Sequence, residues 1–372
     1  MKILQIIYES YGNPFGIGGA GVRAYEVYKR LQERHEITFL CMKYPGAKDG
    51  EIQGLRHVFA GTESRSLPKS VIAFTVRAGR FVRLFGNDFD VIVENFLPST
   101  PFFSRFLSKS PVILQIQGVM YGHSFSKFNP LYSLPMYAIE KIYPSLYDRF
   151  IFVSEVTRAK VMRGVARPVK LCRVIPNGVG DDLIGTETRE GDYILFFSRI
   201  DVYTKGLDIL LAAFENLLRE FPGVRLVMAG YEFDSYERLV AGLSAEVKQK
   251  VEYAGFLTGP QKTALLSGAR IVVLPSRHES SPISIVEAAA CGKPLVVSDI
   301  EEMSFVEENN FGLRFPAGSA KGLKDKMALL LRDDALRTEL GARGREYSRR
   351  FSWSSVAKEF ENTLELTAHG QA

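Results

Sequence analysis

Cysteine is scarce in this 372-residue chain, and the three present, Cys41, Cys172 and Cys291, stand more than a hundred residues apart. That spacing offers no disulfide framework, no CxxC pair and no zinc-binding arrangement, so a reducing, cytoplasmic setting is expected. Long apolar runs are missing too. No window reaches 18 residues without a charge, which excludes a membrane-spanning helix, and the opening MKILQIIYES meets Glu9 after too short an apolar run for a signal peptide. No repeat of fixed period occurs, which excludes solenoids and propellers. The balance of 46% hydrophobic and 24% charged residues argues against disorder and coiled coil.

At roughly 150 residues per domain the length predicts two domains. Short apolar runs alternate with helical patterns in both halves. The first half has runs at 2–10, 35–43, 90–96, 111–119 and 149–155, and the second at 192–200, 224–230, 251–256, 271–277 and 294–299. This alternation predicts an α/β architecture of two Rossmann-like, doubly wound parallel-sheet domains. The stretch 174–192 is rich in Gly, Pro, Asn and charge and reads as the linker. The domains are therefore expected at 1–180 and 181–352, with a closing helical segment at 353–372. Leu207, Leu210, Leu211, Phe214, Leu217, Leu218 and Phe221 form a helical stripe that must cover a sheet face.

Net charge is only +5, but residues 1–185 hold 24 Lys and Arg against 15 Asp and Glu, leaving 23 against 27 for the remainder. A basic first half suits a phosphorylated substrate or an anionic membrane surface. Nucleic acid is not an expected partner, because no recognition helix or nucleic-acid module is evident. The segment 66–86 mixes Val71, Ile72, Phe74, Phe81, Leu84 and Phe85 with Lys69, Arg77, Arg80 and Arg83. It reads as a basic amphipathic helix whose apolar side lies either in the core or in a membrane interface.

Four places carry potential chemistry. Gly16, Gly18 and Gly21 open a helix after the first strand and match G-x-G-x-x-G, but the second strand ends in Cys41-Met42-Lys43 where a ribose-binding acid is wanted. Tyr25 and Lys29 have a dehydrogenase-like spacing in the wrong element. In SRHESSPISIVEAAACGKPLVVSD (276–299), Ser281 is expected as N-cap, Pro282 as first helical residue and Gly292 as the stop. The amides of Ile283 and Ser284 then form an anion site. Glu279 precedes that helix as an exposed-looking loop residue. Glu287 lies within it among apolar neighbours, where a carboxylate needs donors such as sugar hydroxyls or an internal ion pair. In SRIDVYTKG (198–206), Arg199 and Lys205 offer a planar fork and a point charge for a diphosphate. Gly230 ends the next strand and lets a ligand approach the backbone.

Taken together these residues resemble the retaining glycosyltransferases of the GT-B fold, specifically glycosyltransferase family four. The paired glutamates inside P-S-x-x-E…E-A-x-A-C-G-K-P carry the resemblance, supported by the glycine turn near residue 19, VSE (153–155), IPNGV (175–179), Arg199 with Lys205, MAG (228–230) and FSW (351–353). The resemblance implies an acceptor domain followed by a nucleotide-sugar domain facing a cleft, with the final helix crossing back and Trp353 packing. It implies that Arg199 and Lys205 bind the donor diphosphate, Glu287 the ribose and Glu279 the transferred sugar. Gly18, Gly19 and Ala20 would meet the donor from the first domain, and Gly230, Ser281, Pro282, Ile283 and Ser284 from the second. No cofactor and no metal are implied. The expected partners are a nucleotide-sugar (UDP- or GDP-linked) and a glycan or lipid-linked acceptor in cell-surface polysaccharide or glycolipid synthesis, with the enzyme at the inner face of the plasma membrane.

Three departures stand out. Many relatives carry a histidine after the strand PVILQIQG, where this chain has Gln117, with His123 six residues on as a substitute sugar contact. ESSP replaces the more usual Glu-Gly-x-Gly, and Gly180 displaces the acid after IPNGV. Two other readings stay open at this point: a catalytically silent nucleotide-sugar binding protein of the same fold, and an NADP-dependent oxidoreductase using the glycine turn.

Overall fold

Successive residues of a strand point to opposite faces, so a strand covered on both sides needs apolar residues at every position. The run YILFF does this: Ile194 and Phe196 enter one core, while Leu195 enters another together with Val272, Leu274 and Val297. A computed structural model describes residues 1–370 and divides the chain into two units, one formed by Met1–Pro176 with the segment from Trp353 onward, the other by Asn177–Ser352. The division falls inside the 174–192 stretch.

The first unit holds an eight-stranded sheet of β1 (Lys2–Ile6), β2 (Glu36–Met42), β3 (Gly50–Ile52), β4 (Leu55–Ala60), β5 (Val91–Asn95), β6 (Val112–Ile116), β7 (Arg149–Phe152) and β8 (Leu171–Val174). The order is β3-β4-β2-β1-β5-β6-β7-β8, and every pairing is parallel except β3 with β4. β3, β4 and β8 escape the apolar-run reading because they sit at or near the sheet edges and are short or interrupted by polar residues, as Arg56 and His57 interrupt LRHVFA. The order reverses between β1 and β5, the position at which doubly wound sheets open a crevice beyond their strand ends.

Helix α1 (Gly19–Tyr28) follows β1, α2 (Leu67–Phe85) links β4 to β5, and α3 (Pro130–Ile142) lies between β6 and β7. In α2, Phe74, Ala78 and Val82 are fully buried, while Ile72, Val76, Leu84 and Phe85 remain exposed among Lys69, Arg77, Arg80 and Arg83. The helix therefore has a core side and a separate basic, partly apolar outer side.

The second unit holds a six-stranded parallel sheet of β9 (Tyr193–Phe197), β10 (Arg225–Ala229), β11 (Val251–Gly255), β12 (Ile271–Leu274), β13 (Leu295–Ser298) and β14 (Gly312–Phe315) in the order β11-β10-β9-β12-β13-β14. Its reversal lies between β9 and β12. The short helix α4 (Val202–Lys205) turns into α5 (Leu207–Leu218), whose leucine stripe packs on the sheet; α6 (Gly259–Gly268) precedes β12 and α7 (Ile283–Ala290) follows it. The closing helix α8 (Trp353–Ala368) packs with α1 in the first unit, with Trp353 and Phe360 buried and the Phe360 ring 5.6 Å from that of Tyr28.

Candidate functional site

In the second unit the loops after β9 and β12 meet at the reversal point. Gly206 makes this contact possible. It adopts φ +65°, and a Cβ there would lie 2.0 Å from the Pro275 carbonyl oxygen. The two loops are then stapled: Arg277 N donates to Thr204 O at 2.9 Å, and the Arg277 guanidinium grips Asp208 with two bonds of 2.6 and 2.8 Å.

That closure brings Lys205 and Glu279 together. Lys205 Nζ donates to Glu279 Oε1 at 2.6 Å, and Ser276 Oγ donates to the same oxygen at 2.7 Å. Oε2 takes no hydrogen bond among the described residues. Glu279 is buried, 7% exposed, not the open loop residue that its flanking sequence suggests. The ion pair and the serine explain how it tolerates burial.

Arg199 is held separately, its Nη2 donating to Asp201 Oδ2 at 3.2 Å and its guanidinium lying 5.2 Å from the Phe233 ring centre. Asp201 was not anticipated; its other oxygen accepts from Thr204 N at 3.0 Å, so one carboxylate fixes both Arg199 and the helix that carries Lys205. An acid three residues ahead of Thr204, just before a helical turn, is the signal that could have found it. Gly230 adopts φ +149° with a would-be Cβ only 1.9 Å from Ser198 O, so the end of β10 presses on the segment leading to Arg199.

Helix α7 starts later than its sequence suggests. Pro282, with no side chain that can accept a hydrogen bond, is the N-cap, and Ile283 is the first helical residue; Ser281 lies outside the helix and its carbonyl accepts from Asn177 Nδ2 at 2.7 Å. The extended backbone of Pro282, φ −70° and ψ 116°, decides this, since it does not continue into the helix. The helix ends as read, with Gly292 at φ +68° beyond Cys291. The consequence is an open N-terminus: the amides of Ile283 and Ser284 find no acceptor among the described residues. Glu287, inside α7 and buried, accepts from Lys262 Nζ of α6 at 2.7 Å. Lys262 was missed because α6 has no marked apolar face and its register could not be read. Beyond α7, burial lowers the pKa of Lys293 to about 8, and its ammonium donates to Arg189 O at 2.6 Å.

In the first unit the glycine turn is occupied from within. Glu9, buried just beyond β1, accepts at one carboxylate oxygen from Gly18 N (3.0 Å) and Gly21 N (2.5 Å). At Gly21 a Cβ would lie 2.5 Å from this carboxylate and from Ile17, and at Gly18 3.1 Å from it, so the spacing of these glycines is accounted for inside the chain without a dinucleotide. Tyr25 is likewise buried and bonded to His57 at 2.7 Å, while Lys29 pairs with Glu26 at the surface, so they form no dyad. Gly19 is exposed and Ala20 half-buried, and neither amide has an acceptor among the described residues. Gln117 follows β6, its amide donating to Asn95 Oδ1 at 3.1 Å and reaching Ala20 O at 3.5 Å. His123 lies on a different element, exposed at the start of the short helix 123–127.

The family profile described as Glycosyl transferases group 1 matches residues 184–347, and that described as Glycosyltransferase Family 4 matches residues 17–183. A phosphatidyl-myo-inositol mannosyltransferase of Mycobacterium leprae is 33% identical over 202 residues; the match covers 52% of this chain and spans about half, 53%, of that relative. A protein of the same description from Mycolicibacterium smegmatis is 26% identical over 99% of this chain and 94% of its own. Among solved structures, sucrose-phosphate synthase from Thermosynechococcus elongatus superposes with a TM-score of 0.81 at 19% identity over the whole of both chains. HepE from Anabaena, in complex with UDP-glucose, does so with 0.74 at 16% identity over 98% of this chain and 99% of its own. These likenesses give the GT-B fold.

Proposed function

Since the chain belongs to glycosyltransferase family four and is a glycosyltransferase of the GT-B fold, we propose that it transfers a sugar from a UDP- or GDP-linked donor with retention of configuration. The acceptor is a glycan, a lipid or a lipid-linked sugar, and the product serves cell-surface polysaccharide or glycolipid synthesis. The observation that carries this reading is the pairing of Lys205 with one oxygen of buried Glu279, beside the uncapped start of α7.

Breaking the anomeric bond puts negative charge on the departing diphosphate and positive charge on the sugar ring. Lys205, Arg199 and the amides of Ile283 and Ser284 stabilise the first in a site already held in place, so little reorganisation is needed. An ammonium has three donors, and the bond to Glu279 uses one. Glu279 Oε2 accepts from a sugar hydroxyl, and Glu287 accepts from the ribose. The leaving phosphate takes the proton of the attacking hydroxyl, which makes neither glutamate a nucleophile and sets this chemistry apart from two-carboxylate glycosidases. These fixed cations do the work of charge neutralisation, and the reading includes no metal and no cofactor.

The acceptor side is supported by the first unit's surface. Residues 64–139 contain eight Lys and Arg but three Asp and Glu, one of them buried Glu94, and expose Ile72, Val76, Phe106, Leu131 and Leu134. No helix among the described residues is long and apolar enough to cross a membrane. An anionic membrane surface engaged from outside by α2 is the partner this composition favours, and the two mannosyltransferase relatives named above are described by a lipid acceptor.

A thermal-shift panel of UDP, GDP, ADP and TDP with their sugars tests the donor. One nucleoside diphosphate is expected to raise the melting temperature, with turnover of its sugar that Glu279→Ala abolishes; binding that survives with no turnover of any donor would instead favour a silent binding protein. For the membrane, sedimentation with vesicles containing phosphatidylglycerol is expected to weaken at least about tenfold on Arg77→Glu/Arg80→Glu/Arg83→Glu, at about 1 kcal/mol per basic residue near the surface. Absence of binding to vesicles containing phosphatidylglycerol would remove the membrane from the reading and leave the transferase.

A further inference from the structure

We propose that Glu9 is the positioning residue that sets the ligand-facing form of the glycine turn, acting through Gly18 and Gly21 to present the amides of Gly19 and Ala20 to the donor. The inference rests on the reading that this turn meets a nucleotide-sugar. Glu9 lies just past β1, is 4% exposed, and has its backbone carbonyl fixed by Cys41 Sγ at 3.4 Å. A single oxygen of its carboxylate receives both Gly18 N and Gly21 N, the residues on either side of the Gly19-Ala20 pair.

The space around the carboxylate is closed. A Cβ at position 21 would lie 2.5 Å from Glu9 Oε2 and 2.5 Å from the Ile17 side chain, whereas the atoms nearest a Cβ at position 18 are those of the Glu9 carboxylate, from 3.1 Å. A side chain at Gly21 would therefore have to displace Glu9 or the turn, and one at Gly18 would push against the Glu9 carboxylate. The body of α1 is anchored independently, because buried Arg23 donates to Ile175 O at 2.8 Å and Pro176 O at 2.6 Å. Removing Glu9 thus loosens the turn and spares the helix. Ala20 is the junction to the rest of the site: its carbonyl receives the Gln117 amide, which is also bound to Asn95 at the end of β5. One buried carboxylate consequently sets the orientation of two outward amides and of the carbonyl that Gln117 touches.

The test uses the full chain, with UDP-, GDP-, ADP- and TDP-sugars as donors, at a temperature well below every variant's melting point. Glu9→Ala is expected to raise the donor KM by roughly tenfold with a smaller change in kcat, since the lost element is orientation. Glu9→Gln keeps an accepting oxygen and is expected to stay within about threefold of the parent. The decisive arm is a double-mutant cycle with Gly18→Ala: it raises KM in the parent and adds nothing once Glu9 is alanine, because its neighbour is gone. Full multiplication of the two single effects, or an unchanged KM in Glu9→Ala alongside a lowered melting temperature, would overturn the proposal while leaving the transferase reading intact. Failure of the parent to turn over any donor would remove both.

Discussion

Two helix starts in this protein look alike in sequence and differ in what occupies them. Both α1 and α7 follow a parallel strand, open after small residues and point unpaired amides beyond the sheet. In the first unit a carboxylate of the chain itself, Glu9, takes the amides of Gly18 and Gly21. In the second, Pro282 stands at the cap with nothing to offer, and the amides of Ile283 and Ser284 stay open a few residues beyond Glu279, the partner of Lys205. An uncapped helix start forgoes about 0.5–2 kcal/mol of stability and keeps its partial positive charge for a ligand. A partly self-capped one is more stable and leaves a ligand only the two intervening amides, those of Gly19 and Ala20. The difference teaches that a glycine-rich or serine-rich turn cannot be assigned to a phosphate until its amides have been traced.

The largest effect expected from breaking this contrast is at the charged side of the open start. Lys205→Met and Glu279→Gln should each reduce donor turnover by roughly 10²–10³-fold, the scale of losing one preorganised electrostatic group; steady-state rates within threefold of the parent would show that this pair is structural only. Next in size is a substitution that makes the second start resemble the first. Pro282→Asp places a carboxylate where it can accept from the first-turn amides, and should raise stability to urea by up to about 1 kcal/mol while weakening nucleoside diphosphate binding about tenfold by repulsion and occupancy. Calorimetric titration beside urea unfolding checks both signs, and tighter binding would refute the idea that these amides meet phosphate.

The smallest effect concerns pH. Burial lowers the folded-state pKa of Lys293 from 10.5 to about 8. Between about pH 8 and 10.5 the unfolded chain keeps a proton that the folded chain has released, so the contribution of this residue to stability rises with pH. The stability of the parent relative to Lys293→Met, measured by urea unfolding at pH 7.5, 8.5 and 9.5, should therefore increase along the series. A flat difference would mean that the ammonium is not penalised by burial.

Much of the architecture was readable because strands covered on both faces must be apolar throughout; the ten apolar runs all became strands, nine of them with that coverage and β11 at an edge with Glu252 exposed. β3, β4, β8 and β14 were not readable, since strands at or next to a sheet edge alternate or carry polar residues and lose the signal. α2 illustrates an intermediate case: its mixed composition fitted either a core helix or a surface-binding one, and the fold gives it a buried side through Phe74, Ala78 and Val82 with Ile72 and Val76 left outside.

At the site, the sequence by itself determined the chemical types and their local order: two glutamates eight residues apart, an Arg and a Lys in one loop, a glycine closing α7. Only the tertiary structure decided the partners. Lys205 and Glu279 are 74 residues apart, Lys262 and Glu287 come from different helices, and Glu9 reaches across a loop to Gly21. The physical reason is range. Periodicity and capping act over a turn or two of chain, whereas a buried carboxylate takes its donors from whatever the packed sheet brings within 3 Å, and no local pattern records that choice.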